Sequence, residues 1–141
     1  MIVYLDTSVV LRVVFGQRPL WSGWARWEDG WSSELMGIEA RRAIDRLRLE
    51  GALDDQGVAS AQESLSRIEQ GIGTIGLTRL VLRRAALPMP TVVKTLDAIH
   101  LASAILFGEQ QDSRPFFVTH DDQQALAARA LGFQVAGFPT G

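Results

Sequence analysis

Met1-Ile2-Val3-Tyr4-Leu5-Asp6-Thr7-Ser8-Val9-Val10 begins as an apolar run, meets an Asp and two hydroxyls, and continues apolar at helical spacing. A short continuous apolar run ended by a polar turn fits a buried strand of a parallel sheet. Asp6 then stands at the carboxyl end of that strand, the edge where open α/β sheets bind their ligands. Ser8 is expected to cap the helix that follows, with Val9, Val10, Val13 and Val14 on its apolar face. Asp6 itself has two readings here, as a helix cap or as part of a site.

Outward from this stretch, the chain alternates strand and helix patterns. Leu20, Trp21, Trp24 and Trp27 recur at helical spacing and predict a helix closed by Gly30. Trp31-Ser32-Ser33 reads as a second strand. Ser33 is placed to cap a helix from about Glu34 to Glu50, with Met36, Ala40, Ala43, Ile44 and Leu47 on one face. Gly57 precedes a further amphipathic helix through Ile68, and Gly71 to Leu77 reads as loop plus a short strand. Thr78 caps a helix through Ala86 that Pro88 and Pro90 stop. Leu96 to Phe107 is apolar nearly all round, so that helix should be central and buried. Phe116-Phe117-Val118 predicts a buried strand ended by Thr119-His120-Asp121-Asp122. A helix from Gln123 to Leu131, capped by Gly132, and a last strand over 133–136 complete the pattern. Such alternation implies a parallel sheet with helices on both faces, in a single domain covering 1–141.

Composition narrows the chemistry. The 141 residues are 47% hydrophobic, enough for a real core. There is no Cys and only His100 and His120, so thiolate sites are excluded and a His-rich zinc site is disfavoured. A metal would be held mainly by carboxylates, which suits Mg²⁺ or Mn²⁺. A net charge of −2 argues against indiscriminate binding to nucleic acid. No apolar run is long enough to span a bilayer and no basic segment leads into a signal region, which points to the cytoplasm.

Four acids stand where acids are awkward. Asp6 and Asp121 end apolar strands, Glu39 lies between Ile38 and Ala40, and Asp97 opens the most apolar helix. Each has a bland explanation: Asp6 and Asp121 as caps, Asp97 as an acid favoured by the helix dipole, Glu39 as a solvated partner of Arg42 or Arg46. Asp6 and Asp121 as strand ends share one rim of a parallel sheet, and Glu39 and Asp97 join them there if their helices follow parallel strands; the repulsion of such a group would be relieved by a divalent cation. That layout suits metal-assisted hydrolysis of a phosphodiester.

Leu5-Asp6-Thr7-Ser8, Ser33-Glu34-Leu35 to Glu39, Leu96-Asp97-Ala98-Ile99-His100-Leu101-Ala102 and Val118-Thr119-His120-Asp121 together resemble the PIN-domain ribonucleases, and within them the VapC toxins of bacterial toxin–antitoxin pairs. The likeness covers nearly the whole chain, and its most specific piece is Asp97–Ala102. It implies a three-layer α/β/α fold with a central five-stranded parallel sheet, and Mg²⁺- or Mn²⁺-dependent endoribonuclease activity, with tRNA or rRNA the expected target. By the same resemblance Asp6, Glu39, Asp97 and Asp121 are catalytic and hold the metal, Asp121 being preferred to Asp122 by spacing. Ser8 and Thr119 match the family's small hydroxyls and are expected to position substrate. The implied partners are a VapB-like antitoxin and a second copy in a homodimer.

The remaining residues are read without the family. His100 is expected to be a satisfied core histidine and His120 to face solvent. Arg42 and Arg46, within two turns of Glu39, are candidates to guide RNA phosphate to the metal. Three Trp exceed what a small core needs, so Trp21, Trp24 and Trp27 either cover the sheet edge or leave at least one of them exposed for a partner. Two rival functions are a Mg²⁺-dependent phosphatase of another doubly wound fold and a catalytically silent RNA- or protein-binding module. The phosphatase would want an Asp two residues after Asp6, where Ser8 stands. The silent module would carry the electrostatic cost of four acids for nothing.

Overall fold

The computed structural model describes residues 1–137; the last four residues of the expected 1–141 domain lie outside the described residues. Five strands form one parallel sheet: β1 (Ile2–Leu5), β2 (Asp29–Ser33), β3 (Gly73–Ile75), β4 (Phe116–Val118) and β5 (Val135–Ala136), in the order β3-β2-β1-β4-β5. The helices are α1 (Thr7–Val14), α2 (Glu34–Leu49), α3 (Asp55–Gly71), α4 (Arg79–Ala85), α5 (Thr95–Gln111) and α6 (Asp122–Ala130).

The alternation of strand side chains builds the layers. Val3 and Leu5 point to a core made with Val9, Val10 and Val14 of α1, Met36, Ala40 and Ile44 of α2, and Ala61 and Leu65 of α3. Tyr4, between them, points the other way, to Phe117, Leu101, Ala104 and Ile105 of α5, and Ala127 and Ala128 of α6. β1 is therefore buried on both faces, as its continuous apolar run requires. α5 is likewise buried nearly all round, which accounts for its lack of a polar stripe. The result is the expected α/β/α sandwich.

This topology positions the site. β1 connects outward to β2 and β3, and the chain then crosses back to add β4 and β5 on the other side. The switch point lies between β1 and β4, so the residues after Leu5 and after Val118 meet at one crevice. Ser33 accepts from Leu35 N at 3.0 Å and starts α2 as expected, and Gly51, at a left-handed φ of 78°, ends it.

Several local expectations need correction. Ser8 does not cap α1: the helix begins at Thr7, Asp6 occupies the cap position, and neither side chain bonds an orphan amide of the first turn. α3 starts two residues earlier than Gly57, because Asp54 accepts from Gly57 N at 2.8 Å and places that glycine in the first turn. The last strand contracts to Val135–Ala136.

The Trp-rich segment is not a helix. Trp24 N bonds Trp21 O at 2.9 Å and Arg26 N bonds Gly23 O at 3.0 Å, giving successive tight turns, while Ala25 takes a left-handed φ of 67° that interrupts any helical run. Gly30 lies inside β2 rather than closing a helix. The turns let Trp21 and Trp27 stack in parallel at 6.2 Å, with Trp24 edge-on to Trp27 at 4.7 Å. Trp21 is buried and the other two half-buried against the same core, so the rings cover the sheet and none is left exposed for a partner. Replacing Trp24 by Ala removes one edge-to-face pair and part of its buried area. Unfolding free energy should fall by about 1–2 kcal/mol in a urea titration, and an unchanged midpoint would mean that the rings do not support the core.

Candidate active site

Asp6 follows β1, and its backbone N bonds Val118 O at 2.9 Å, locking the two strand ends together. Its side chain is 5% exposed. Oδ2 accepts hydrogen bonds from Ser8 Oγ at 2.7 Å and from Thr119 Oγ1 at 2.8 Å. Those hydroxyls are in turn fixed by backbone: His120 N donates to Ser8 Oγ and Asp121 N to Thr119 Oγ1, both at 3.0 Å. A buried carboxylate held in this way is ordered for use of its other oxygen, and Oδ1 has no hydrogen-bond partner among the described residues. Asp6 is thus not a helix cap in the chemical sense.

Asp121 does act as a cap, with Oδ1 accepting from Gln124 N at 3.0 Å at the start of α6. That bond uses one oxygen and leaves Oδ2 uncommitted. Asp97, in the first turn of α5, makes no side-chain hydrogen bond among the described residues; only its backbone O is engaged, by Gln124 Nε2 at 3.0 Å. Asp6, Asp97, Asp121 and Glu39 all line one cleft of about 490 Å³, together with Ser8, Arg42 and Arg46. Asp122 is absent from its lining.

The crowding has an electrostatic signature. Burial, followed by the charges of Asp6 and Asp121, pushes Asp97 up from 3.8 to about 6. The helix dipole, which favours an acid in the first turn by about 0.3–1 kcal/mol, is outweighed. A first-turn acid placed only for the dipole would not be driven upward by its neighbours.

Glu39 is held from behind. Oε1 accepts from Thr7 Oγ1 at 2.6 Å and from His100 Nε2 at 2.6 Å. His100 is 1% exposed, and its Nδ1 lies 2.7 Å from Tyr4 Oη. Burial alone would raise Glu39, but the hydrogen bond and charge of His100 and the Thr7 hydroxyl outweigh it and hold the carboxyl below its usual value. Burial alone would lower His100, and the bond to Glu39 with the charges of Asp6, Glu39 and Asp97 reverses that and raises it. His100 is the satisfied core histidine expected from sequence. The roles of Thr7 and Tyr4 were not anticipated; the available signal was that Thr7 adjoins Asp6 and His100 lies one turn after Asp97.

Thr119, Ser8 and His120 are placed differently from expectation, while Arg42 and Arg46 lie where the sequence put them, near Glu39. Thr119 is fully buried, so it orients Asp6 and cannot touch substrate; Ser8 lines the cleft but donates its hydroxyl hydrogen bond to Asp6. His120 does not face solvent, since both ring nitrogens are shielded, and burial, then the charge of Arg12, holds it below its ordinary value. Arg42 and Arg46 are exposed on the cleft wall, Arg42 with a loose 3.4 Å contact to Asp45.

The donor set suits a hard divalent cation: carboxylate oxygens, two of them left free on ordered side chains, and no thiolate. Among the described residues no three acid or imidazole groups converge as a ready-made cage. Mg²⁺ does not need one, because it keeps several waters and takes one or two carboxylates.

A family model described as PIN domain matches residues 3–130. Ribonuclease VapC47 of Mycobacterium tuberculosis (strain CDC 1551 / Oshkosh) is 26% identical over an alignment 142 positions long that covers 95% of each chain.

Proposed function

The chain belongs to the PIN-domain family, and on that premise we propose that it is a Mg²⁺- or Mn²⁺-dependent endoribonuclease, the toxin of a toxin–antitoxin pair acting in the cytoplasm. The observation that carries this reading is Asp97, pushed to about 6 in a cleft it shares with Asp6 and Asp121. The name of the related ribonuclease supports the activity. No helix among the described residues is long and apolar enough to cross a membrane, which is compatible with an RNA substrate in solution.

Asp6, Glu39, Asp97 and Asp121 would hold the cation. When bound, the cation supplies a water of lowered pKa, polarises the phosphate and stabilises the leaving oxygen. The protein's own contribution is order. Ser8 and Thr119 fix Asp6, and the amides of His120 and Asp121 fix those hydroxyls in turn. Arg42 and Arg46 on the cleft wall engage the RNA backbone. tRNA or rRNA is the proposed target, a VapB-like antitoxin the inhibitor, and a homodimer the working state.

The direct test is cleavage of a total tRNA and rRNA pool by purified protein with Mg²⁺, with Mn²⁺ and with EDTA. Products in both metal arms and none in EDTA are expected, and equal cleavage in EDTA would overturn the reading. Arg42→Ala and Arg46→Ala should each weaken RNA binding without changing single-turnover cleavage at saturation. Each should lower the slope of log binding constant against log salt by about 0.7 to 1, one phosphate contact's share. A salt slope identical to wild type for both would remove them from the RNA path.

A further inference from the structure

Behind Glu39 lies a polar chain that the cleavage chemistry does not itself require. Tyr4 is fully buried, His100 is 1% and Thr7 6% exposed. Burying three polar side chains is costly unless each is bonded, and here every bond leads to the same carboxylate oxygen. Thr7 Oγ1 donates to Glu39 Oε1 at 2.6 Å and lies 3.1 Å from His100 Nε2. His100 Nε2 lies 2.6 Å from that Oε1, and since a carboxylate only accepts, this nitrogen carries the donated hydrogen. The other ring nitrogen meets Tyr4 Oη at 2.7 Å. Tyr4 is itself fixed by stacking on Phe117 at 5.2 Å, with the His100 ring edge-on at 5.9 Å. The chain therefore runs from the centre of the sheet, through α5, to a side chain on α2.

We propose that Thr7, His100 and Tyr4 are positioning residues, a buried clamp that holds Glu39 Oε1 so that its second oxygen stays directed to the metal-binding cleft. A Glu on an exposed helix face has three torsions to lose when it binds an ion, and the clamp removes that cost before the ion arrives. It also explains why Glu39, alone among the four acids, is anchored by side chains from two other helices. This inference rests on the nuclease reading above.

The test uses Thr7→Val, Tyr4→Phe, His100→Gln and His100→Leu. Thr7→Val keeps shape and deletes one donor. Tyr4→Phe keeps the ring on Phe117 and deletes the contact to Nδ1. His100→Gln retains a donor near the Nε2 position, and His100→Leu does not. Mn²⁺ affinity is read by calorimetry without RNA, and kcat and KM on tRNA are read separately, each on protein shown to be folded by circular dichroism. Loss of a ligand-orienting hydrogen bond typically costs 10- to 100-fold. Thr7→Val and His100→Leu should lose about 10-fold or more in Mn²⁺ affinity and in kcat, with KM for RNA retained, and Tyr4→Phe a smaller amount in the same direction. His100→Gln should recover most of the loss seen in His100→Leu. If His100→Leu fails to fold, the Thr7→Val and Tyr4→Phe results decide. Wild-type protein that binds Mn²⁺ and cleaves RNA, with Thr7→Val and Tyr4→Phe matching it, overturns the clamp and leaves the nuclease reading intact. Wild-type protein that neither binds Mn²⁺ nor cleaves RNA overturns the nuclease reading, and the clamp falls with it.

Discussion

Asp97→Asn is expected to lose RNA cleavage by on the order of 10³-fold, the upper range for removing one preorganised electrostatic group, while the metal-free protein stays folded and gains stability. The two effects share a cause. Asp97 is charged at neutral pH against burial and against Asp6 and Asp121, which hold it at about 6. Each unit of that shift corresponds to about 1.4 kcal/mol of unfavourable interaction. The side chain is partly open to the cleft, so solvent screening reduces the total to about 1–2 kcal/mol. Asn keeps the shape and sheds the charge. Nothing in the fold depends on the carboxylate, because α5 is begun by Lys94 without a side-chain cap and Gln124 bonds only the Asp97 backbone O. A structural cap would behave differently, since Asn caps as well as Asp and would leave cleavage intact. Asp112→Asn is the control: that residue ends α5 in a left-handed conformation, φ 55°, which Asn tolerates, and it lies outside the cleft. Single-turnover cleavage of a tRNA pool with Mg²⁺, beside a thermal melt in EDTA, reads both effects. A folded Asp97→Asn protein with full activity would remove the metal site and the nuclease reading together.

What sequence made legible and what it hid follow from range. β1, α2 and α5, with Asp6 after the first and Asp97 in the first turn of the last, are set by local signals: a continuous apolar run, the Ser33 cap, an apolar helix interrupted by Asp97. Parallel strands oblige their carboxyl ends to share a rim, so the convergence of Asp6 and Asp121 on one cleft could be argued from sequence; Asp97 joins them from α5, which follows α4 rather than a strand, so its place there is set by tertiary packing. The Trp segment failed because helical spacing over 20–27 is equally compatible with turns, and the deciding event, rings 21 and 27 stacking around a left-handed Ala25, is tertiary. The clamp on Glu39 was hidden for the same reason. Tyr4 reads as one more apolar strand residue, and its hydroxyl acquires a purpose only when α5 brings His100 across 96 residues of chain. Ser8 shows a subtler limit: it is the right type in the right place for a cap, yet the buried Asp6 carboxylate is a stronger acceptor for its proton than any helix-end group.

Divalent metal should move both the height and the pH of maximum stability. An ion that binds only the native protein stabilises it by about 2.7 kcal/mol at 100 times its Kd, which for a chain of this size is a rise of roughly 8–10 °C in Tm. Asp97, Glu39 and His100 shape the metal-free profile around the cleft, while His120, held below 6.5, adds a penalty that grows as pH falls below that value. Asp97 is raised from 3.8 to about 6, so the folded protein binds this proton more tightly than the unfolded chain, and the penalty for its charge is complete only above about pH 6. Glu39 is lowered from 4.5, so its contribution is present above 4.5 and is lost as pH falls through its depressed value. His100 is raised from 6.5, so its contribution is complete below 6.5 and is lost as pH rises through its folded value. All three favour the native state only between about pH 4.5 and 6, where the Tm in EDTA should peak. With Mn²⁺ the carboxylates must be ionised to bind, so the proton becomes a competitor and the maximum should move above pH 6. The Mn²⁺-induced rise should accordingly shrink as Asp97 protonates and be much smaller in Asp97→Asn at every pH. Melts from pH 4 to 8 with EDTA or millimolar Mn²⁺ decide it: curves that are parallel with and without metal would mean that no titrating carboxylate of the cleft takes part in binding.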